Sequence, residues 1–185
     1  MKIEIECRLL EVDVEGLIKK LKANNATLKG DFLQMRYCYD FNPVKQNSWI
    51  RLRTNGVETT LTIKEIENAR IDGTKESEVV VSDFKTTDEI LNKMGYYARS
   101  KQENRRIRYV LNDVEIDFDF WPKIPPYVEF EAKNEEQIKR LFDLLDLYYS
   151  DTTTLDVESI YKHYNIFDIN HLTLEESIKN FKYDI

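Results

Sequence analysis

The sequence predicts one α+β domain in which an antiparallel β-sheet closes on itself, with helices inserted between strands and appended after them. Three observations favour this class. About eight segments have the length and alternation of strands, and short turns join several of them. Helical segments with one apolar side need a sheet to cover. The 185 residues contain no internal repeat and no linker, so one domain is expected.

Composition excludes several classes of protein. Asp and Glu number 34 against 27 Lys and Arg, which gives a net charge of −7. This acidic balance argues against a surface that coats DNA or RNA. Two cysteines cannot form a disulfide scaffold. No signal peptide and no run of 18 apolar residues is found, so we expect a cytoplasmic protein without a membrane partner.

The chain opens with a strand, a helix and a second strand. Residues 2–9 alternate charged and apolar side chains, which is the period of a half-buried strand. Asp13 caps a helix that ends at Asn24. Residues 28–41 form an aromatic-rich strand, whose rings we expect to pack in the wall. The other predicted strands cover residues 49–54, 57–65, 75–81, 105–110, 114–120 and 127–132.

Two hairpins fix which side chains share a face. A two-residue turn at Asn55-Gly56 would pair Arg53 with Glu58, and it would keep Lys64 on the face of Arg53. A second two-residue turn, at Asn112-Asp113, would pair Arg108 with Asp117 and Arg106 with Asp119.

Capping residues predict where the later helices begin. The predicted helix starts are Thr86 with Glu89, Asn134, Thr153 or Thr154, and Thr173 with Glu176. The barrel core is expected over residues 1–133, and a helical segment over residues 134–185.

Charged residues recur at a spacing of two, and each strand tends to carry one sign. Side chains two apart on a strand point to the same side. The acidic set is Glu4, Glu6, Glu76, Glu78, Asp117, Asp119, Glu129 and Glu131, and the basic set is Arg8, Arg51, Arg53, Lys64, Arg106 and Arg108. The opposite side is mostly apolar, with Ile3, Ile5, Leu52, Leu61, Ile63, Val79, Ile116, Phe118, Val128 and Phe130.

Such alternation usually means a solvated outer face. Here the apolar stripes of the helices could cover the apolar side of the sheet, which would leave the charges inside a barrel. An interior with both signs must hold water and ions, because unpaired buried charge is very costly. Carboxylates suit Mg²⁺ or Mn²⁺, and Arg and Lys suit phosphate oxygens. Together they predict a site for a metal-bound polyphosphate.

The charged strands resemble a known family, the CYTH proteins or triphosphate tunnel metalloenzymes. Its motifs occur in order between Glu4 and Glu131, and the C-terminal SIYKHYNI is similar to a helix of bacterial members, some of them class IV adenylyl cyclases. The resembling segments are EIECR, WIRLR, LTIKE, ESEVV, RRIRY, IDFDF and YVEFE.

The resemblance implies a closed eight-stranded antiparallel barrel with a central tunnel and flanking helices. It also implies roles for individual residues. The implied catalytic residues are Glu4, Glu6 and Arg8; the phosphate-binding residues are Arg51, Arg53, Lys64, Arg106 and Arg108; the ligands of Mg²⁺ or Mn²⁺ are Glu4, Glu6, Asp117, Asp119, Glu129 and Glu131, with Glu76 and Glu78 second in rank.

Two positions depart from the family pattern. Arg8 stands where a lysine is usual, and a guanidinium keeps the charge but is a poor base. Asn104 falls where the later basic strand usually has a lysine, so one phosphate contact would be missing or shifted.

Three functions remain open from the sequence. The first is hydrolysis of a small-molecule triphosphate: inorganic, thiamine or nucleoside. The second is an adenylyl cyclase that converts ATP to cyclic AMP and pyrophosphate. The third is a non-catalytic module that binds polyphosphate or nucleotides. A homodimer is compatible with each of them.

Overall fold

Eight antiparallel strands close into a barrel in the computed structural model, which describes residues 1–185. The strand order is β2-β3-β4-β5-β1-β8-β7-β6, and pairing of β2 with β6 closes the barrel, as the sequence predicts. The strands are β1 (Lys2–Leu9), β2 (Thr27–Tyr39), β3 (Ser48–Thr54), β4 (Thr59–Ile66), β5 (Thr74–Val81), β6 (Ala98–Leu111), β7 (Val114–Phe120) and β8 (Tyr127–Ala132). A short ninth strand, β9 (His171–Leu172), runs parallel to β6.

Five helices surround the barrel. The expected apolar outer face is real: a cluster of 18 buried residues lies between the strands and the first and third helices. None of the helices is both long and apolar enough to cross a membrane. The helices are α1 (Val14–Ala23), α2 (Phe84–Lys93), α3 (Glu135–Leu145), α4 (Val157–His163) and α5 (Glu176–Asn180).

The outer apolar layer is incomplete on one side of the barrel. Cys7, Ile116, Phe118 and Phe130 are buried in the large cluster, as expected for the outer face. Ile3 and Val79, which the alternation also assigns to this layer, are more than half exposed. The prediction that they are buried is therefore wrong for that part of β1 and β5.

The hairpin between β6 and β7 has the predicted register. Asn112 and Asp113 both adopt positive φ, the conformation of a two-residue type I′ turn. Asp119 lies opposite Arg106, and Asp117 lies opposite Arg108. This turn therefore fixes the partners of the later basic strand.

The predicted register of the β3–β4 hairpin is wrong by two residues. Asn55 accepts hydrogen bonds from the backbone N–H groups of Val57 and Glu58, at 2.9 and 2.8 Å, and the loop is thereby extended to four residues. Arg53 consequently lies opposite Thr60 instead of Glu58. A shift of two preserves the face, so Lys64 remains on the same side as Arg53.

Helix starts follow aspartate and asparagine more closely than threonine. Asp13 and Asn134 cap α1 and α3 as predicted. Thr86 does not cap α2, because Asp83 accepts from the Thr86 N–H and starts the helix earlier. The two other threonine caps are also wrong. Asp156 caps α4, and α5 begins after Glu175 without a side-chain cap.

A buried arginine fastens the C-terminal segment to the outside of the barrel. Arg105 of β6 is 5% exposed and donates two hydrogen bonds to Asp31, at 2.8 and 2.6 Å. Its remaining guanidinium nitrogen donates to the carbonyls of Ile178 and Phe181, at 2.8 and 2.5 Å. One side chain therefore joins β2, β6 and the α5 segment.

We expect Arg105→Gln to lower the free energy of unfolding by about 3 kcal/mol, because it breaks a buried ion pair. It should also make residues after 173 susceptible to proteolysis in the folded protein. Urea denaturation and limited trypsin digestion measure the two effects. Arg140→Gln, on the exposed side of α3, is the control for lost charge. Equal stability of the two variants would contradict this role of Arg105.

Candidate active site

The interior of the barrel is a polar cavity of about 830 Å³. All eight strands contribute side chains to it, and only nine of its 41 lining residues are hydrophobic. This volume is typical of a pocket for a small-molecule ligand. The charged face of the strands therefore points inward, and it encloses space instead of forming a dry core.

Most of the residues singled out from the sequence line this cavity. Twelve side chains do so: Glu4, Glu6, Arg8, Arg51, Arg53, Lys64, Glu76, Glu78, Arg106, Arg108, Glu129 and Glu131. Asp117 and Asp119 point to the same side but do not line the cavity. They are 3% and 0% exposed and lie behind arginine side chains of β6.

The two signs of charge occupy opposite halves of the barrel wall. Going round the barrel, β6, β2, β3 and β4 are adjacent and carry inward arginines and lysine, and we call them the basic wall. The strands β5, β1, β8 and β7 are also adjacent and carry inward carboxylates, and we call them the acidic wall. Arg8 is the one arginine of the acidic wall.

Lys64 joins the two walls at the β4–β5 boundary. Its ammonium group lies 2.9 Å from a carboxylate oxygen of Glu4 and 3.1 Å from one of Glu76. Burial raises the pKa of Glu4 to about 7; Lys64 opposes this rise, and the neighbouring carboxylates of Glu6 and Glu76 add to it. Glu4 therefore shares its one cationic partner, Lys64, with Glu76.

Arg8 is held by carboxylates on both sides. It contacts Glu6 at 3.1 Å and makes a short ion pair with Glu129, and it also donates to the carbonyl of Leu155 at 3.0 Å. Burial alone would lower the pKa of Arg8, but Glu129 and Glu6 outweigh it and hold the pKa well above its usual value. Arg8 is therefore a fixed cation and not a base.

Arg106 is the most heavily paired residue of the basic wall. Its guanidinium lies 2.6 Å from Asp117, 2.5 Å from Asp119 and 3.3 Å from Glu129. Asp117 also pairs with Arg108 at 2.6 Å. The two buried aspartates therefore neutralise and orient the arginines in this structure.

The arginines of β3 are less well compensated. Arg51 lies 3.5 Å from Glu76 and 3.4 Å from Glu78, and Arg53 lies 3.8 Å from Glu78. Arg51 and burial lower the pKa of Arg53 to about 9. The middle of the basic wall thus has more positive charge than carboxylate.

Sequence reasoning missed one inward arginine, Arg36 of β2, which also lines the cavity. It lies beside Asn104, the position where the resemblance leads one to expect a lysine. The signal was present as alternation of Gln34, Arg36 and Cys38 with larger residues, but the aromatic content of β2 masked it. Cys38 is buried on the same inner face.

Comparison with known families identifies the chain. The CYTH domain matches residues 2–158. The chain belongs to the CYTH family. No curated protein sequence matches it.

Solved structures share this CYTH fold at low sequence identity. The PH1012 protein from Pyrococcus horikoshii OT3 has a TM-score of 0.71 and 23% identity, over 83% of this chain and 96% of that one. A putative adenylate cyclase from Vibrio parahaemolyticus has a TM-score of 0.71 and 15% identity, over 87% and 98%. A putative adenylyl cyclase from Hippeastrum, described as having a dominant triphosphatase activity, has a TM-score of 0.58 and 14% identity, over 90% and 97%.

The donor chemistry of the acidic wall suits a hard divalent cation. Its cavity-lining carboxylates, those of Glu4, Glu6, Glu129 and Glu131 among them, supply only oxygen donors. No three of them converge closely enough to hold an ion in this structure. Each of these four is drawn towards a lysine, an arginine or a threonine. A cation would therefore bind by competing with these partners.

The unequal pairing of the arginines predicts opposite effects of two matched substitutions in this CYTH domain. Arg106→Gln should lower the free energy of unfolding by about 3–5 kcal/mol, because it removes the only ion-pair partner of the buried Asp119. Arg53→Gln should leave stability unchanged or raise it by about 1 kcal/mol, because it relieves repulsion from Arg51. Urea denaturation without metal or phosphate measures both. Comparable losses in the two variants would contradict the assignment of Arg106 as strongly paired and Arg53 as weakly paired.

Proposed function

We propose that this CYTH domain is a divalent-metal-dependent phosphohydrolase that cleaves a triphosphate bound inside the barrel. The candidate substrates are inorganic, thiamine and nucleoside triphosphates. The observation that carries the proposal is the division of one buried cavity into a basic wall and an acidic wall. A polyphosphate needs both: cations for its oxygens, and carboxylates for the metal ions that accompany it.

The basic wall would bind and orient the phosphate chain. Arg51, Arg53 and Lys64 lie on neighbouring strands β3 and β4 and face the cavity, and Arg106 lies beyond β2 on the other side. Arginine can donate two parallel hydrogen bonds to one phosphate group. The aspartates behind Arg106 hold its guanidinium in a fixed direction, so that little ordering is needed when the substrate arrives.

The acidic wall would hold the Mg²⁺ or Mn²⁺ ion through Glu4, Glu6, Glu129 and Glu131. Such an ion supplies charge neutralisation and Lewis acidity to phosphoryl transfer. Arg8 would remain protonated between Glu6 and Glu129 and contribute a positive charge to the bound phosphates. Phosphoryl transfer depends mainly on positioning and charge stabilisation, so this set is sufficient without a covalent nucleophile.

Adenylyl cyclisation is the second candidate, and the structural neighbour from Vibrio parahaemolyticus that is named a putative adenylate cyclase favours it. In that reaction the ribose 3′-hydroxyl attacks the α-phosphate of ATP and pyrophosphate leaves. The Hippeastrum neighbour, described by its dominant triphosphatase activity, favours hydrolysis instead. The charged groups of the cavity suit both reactions, so a binding site for adenine is the feature that would distinguish a cyclase from a hydrolase.

A substrate panel with product analysis tests the proposal. The protein is incubated with tripolyphosphate, thiamine triphosphate, ATP and GTP, each with Mg²⁺, Mn²⁺ or EDTA. We expect phosphate release from at least one triphosphate, dependent on the metal. Glu4→Gln combined with Glu6→Gln should lower kcat/KM by at least about a hundredfold, the scale of losing a charge-stabilising group.

The matched control is Glu89→Gln combined with Glu136→Gln, which removes two exposed glutamates from α2 and α3. It should retain the activity of the unmodified chain. Formation of cyclic AMP from ATP as the main product would support the cyclase instead. Binding of triphosphates with no product from any substrate or metal would contradict both enzymes and favour a binding module.

A further inference from the structure

Arg36 is the only cation in the cavity without a carboxylate partner. Every other lysine and arginine that lines the cavity makes an ion pair with an aspartate or a glutamate. Arg36 is 8% exposed, its Nε has no hydrogen-bond partner, and its one side-chain hydrogen bond is a long one of 3.4 Å to Asn104.

The strand order explains why Arg36 is unpaired. Its strand, β2, lies between β6 and β3, which are both basic, so no acidic strand adjoins it. The ladder places Arg36 directly opposite Arg53, with Arg51 one inward position further along. Like charges directly opposite each other destabilise a sheet. Burial and the charge of Arg51 lower the pKa of Arg36 to about 10.

A purely structural role does not account for this arginine. Its guanidinium lies 4.2 Å from the ring centre of Trp121, and stacking on the ring contributes some stability. An apolar side chain would cover the same ring without burying a charge. Buried charges in folded proteins are normally paired, because leaving one unpaired is costly. The unpaired positive charge of Arg36 is therefore suited to binding an anionic group of a ligand.

The surroundings of Arg36 hold it ready for such a ligand. Asn104 accepts from the Arg36 guanidinium through its oxygen and donates to Asp119 through its nitrogen, at 3.1 Å, so both ends of the amide are engaged. Trp121 is fully buried, and its ring lies against the guanidinium. The Nε is buried without a hydrogen-bond partner, and the second terminal nitrogen makes no hydrogen bond, so the guanidinium has unused donors for phosphate oxygens.

We propose that Arg36, together with Arg51 and Arg53, forms a subsite that binds one phosphate group of the polyphosphate directly, with no metal ion between them. The inference rests on the proposed function only for the identity of the anion. It adds Arg36 to the substrate-binding residues, and it divides recognition of the polyphosphate into two steps. The arginine subsite takes one phosphate group unaided, and the acidic wall needs the metal for the rest.

Calorimetric titration of inorganic tripolyphosphate in EDTA tests the proposal. The unmodified chain should bind it without metal. Arg36→Gln should weaken binding by about tenfold or more, the usual effect of losing hydrogen bonds to a charged group. Arg36→Lys should bind with intermediate affinity, because it keeps the charge but not the planar fork. Arg140→Gln, which loses the same charge from the exposed side of α3, should bind like the unmodified chain.

Thermal melting of the same samples separates binding from packing. Arg36→Gln should melt at or above the temperature of the unmodified chain, because it removes an unpaired buried charge. Affinity within twofold of the unmodified chain, or a lower melting temperature with unchanged affinity, would show that Arg36 only packs on Trp121 and would overturn the proposal. If Arg36→Gln does not fold, the proposal is overturned as well, since the charge would then be structural.

Turnover of tripolyphosphate with Mg²⁺ in the same samples distinguishes this proposal from the proposed function. If Glu4→Gln combined with Glu6→Gln abolishes turnover, and Arg36→Gln leaves turnover unchanged at low substrate concentration, the hydrolase proposal is supported and the subsite proposal is overturned. Metal-free binding that depends on Arg36, without turnover of any triphosphate, keeps the subsite and removes the hydrolase. Absence of metal-free binding by the unmodified chain overturns the subsite.

Discussion

The neutralisation of buried charge inside the barrel is the constraint on which the rest of this structure depends. A cavity that carries both signs is stable only if nearly every charge lies beside an opposite one or beside water. The strand order meets this condition at the two places where the basic wall and the acidic wall adjoin. Lys64 pairs with Glu76 at one boundary, and Arg106 pairs with Asp119 at the other. In the middle of the basic wall, Arg36 has no carboxylate partner, and Arg51 and Arg53 make only long contacts of 3.4–3.8 Å with carboxylates.

The same constraint links stability to function. Ion pairs across the cavity occupy most of the groups that a ligand would use, so a bound phosphate or metal ion would have to displace existing partners. Arg36 is the exception, because it has no carboxylate partner that a ligand would have to displace. The polar groups that are least satisfied in the free protein are therefore the ones best suited to begin recognition.

The features that local chemistry determines were predictable from the sequence. Charged alternation gave the inward face, and Asn112-Asp113 fixed the β6–β7 register, because a two-residue turn leaves no freedom in pairing. The length of the β3–β4 loop and the start of α2 were not predictable. They depend on side-chain hydrogen bonds of Asn55 and Asp83, and several neighbouring residues compete for such bonds. The lack of a carboxylate partner at Arg36 was not predictable, because it depends on the order of strands that are distant in sequence.

The location of bound phosphate and metal in a crystal tests the central claim most directly. Crystals of the protein with Mn²⁺ and a non-hydrolysable triphosphate analogue would be measured at the manganese absorption edge. The account predicts anomalous density against the carboxylates of the acidic wall and phosphate density against the arginines of the basic wall, within one barrel. Phosphate and Mn²⁺ bound only outside the barrel, with the inner ion pairs unchanged, would contradict it.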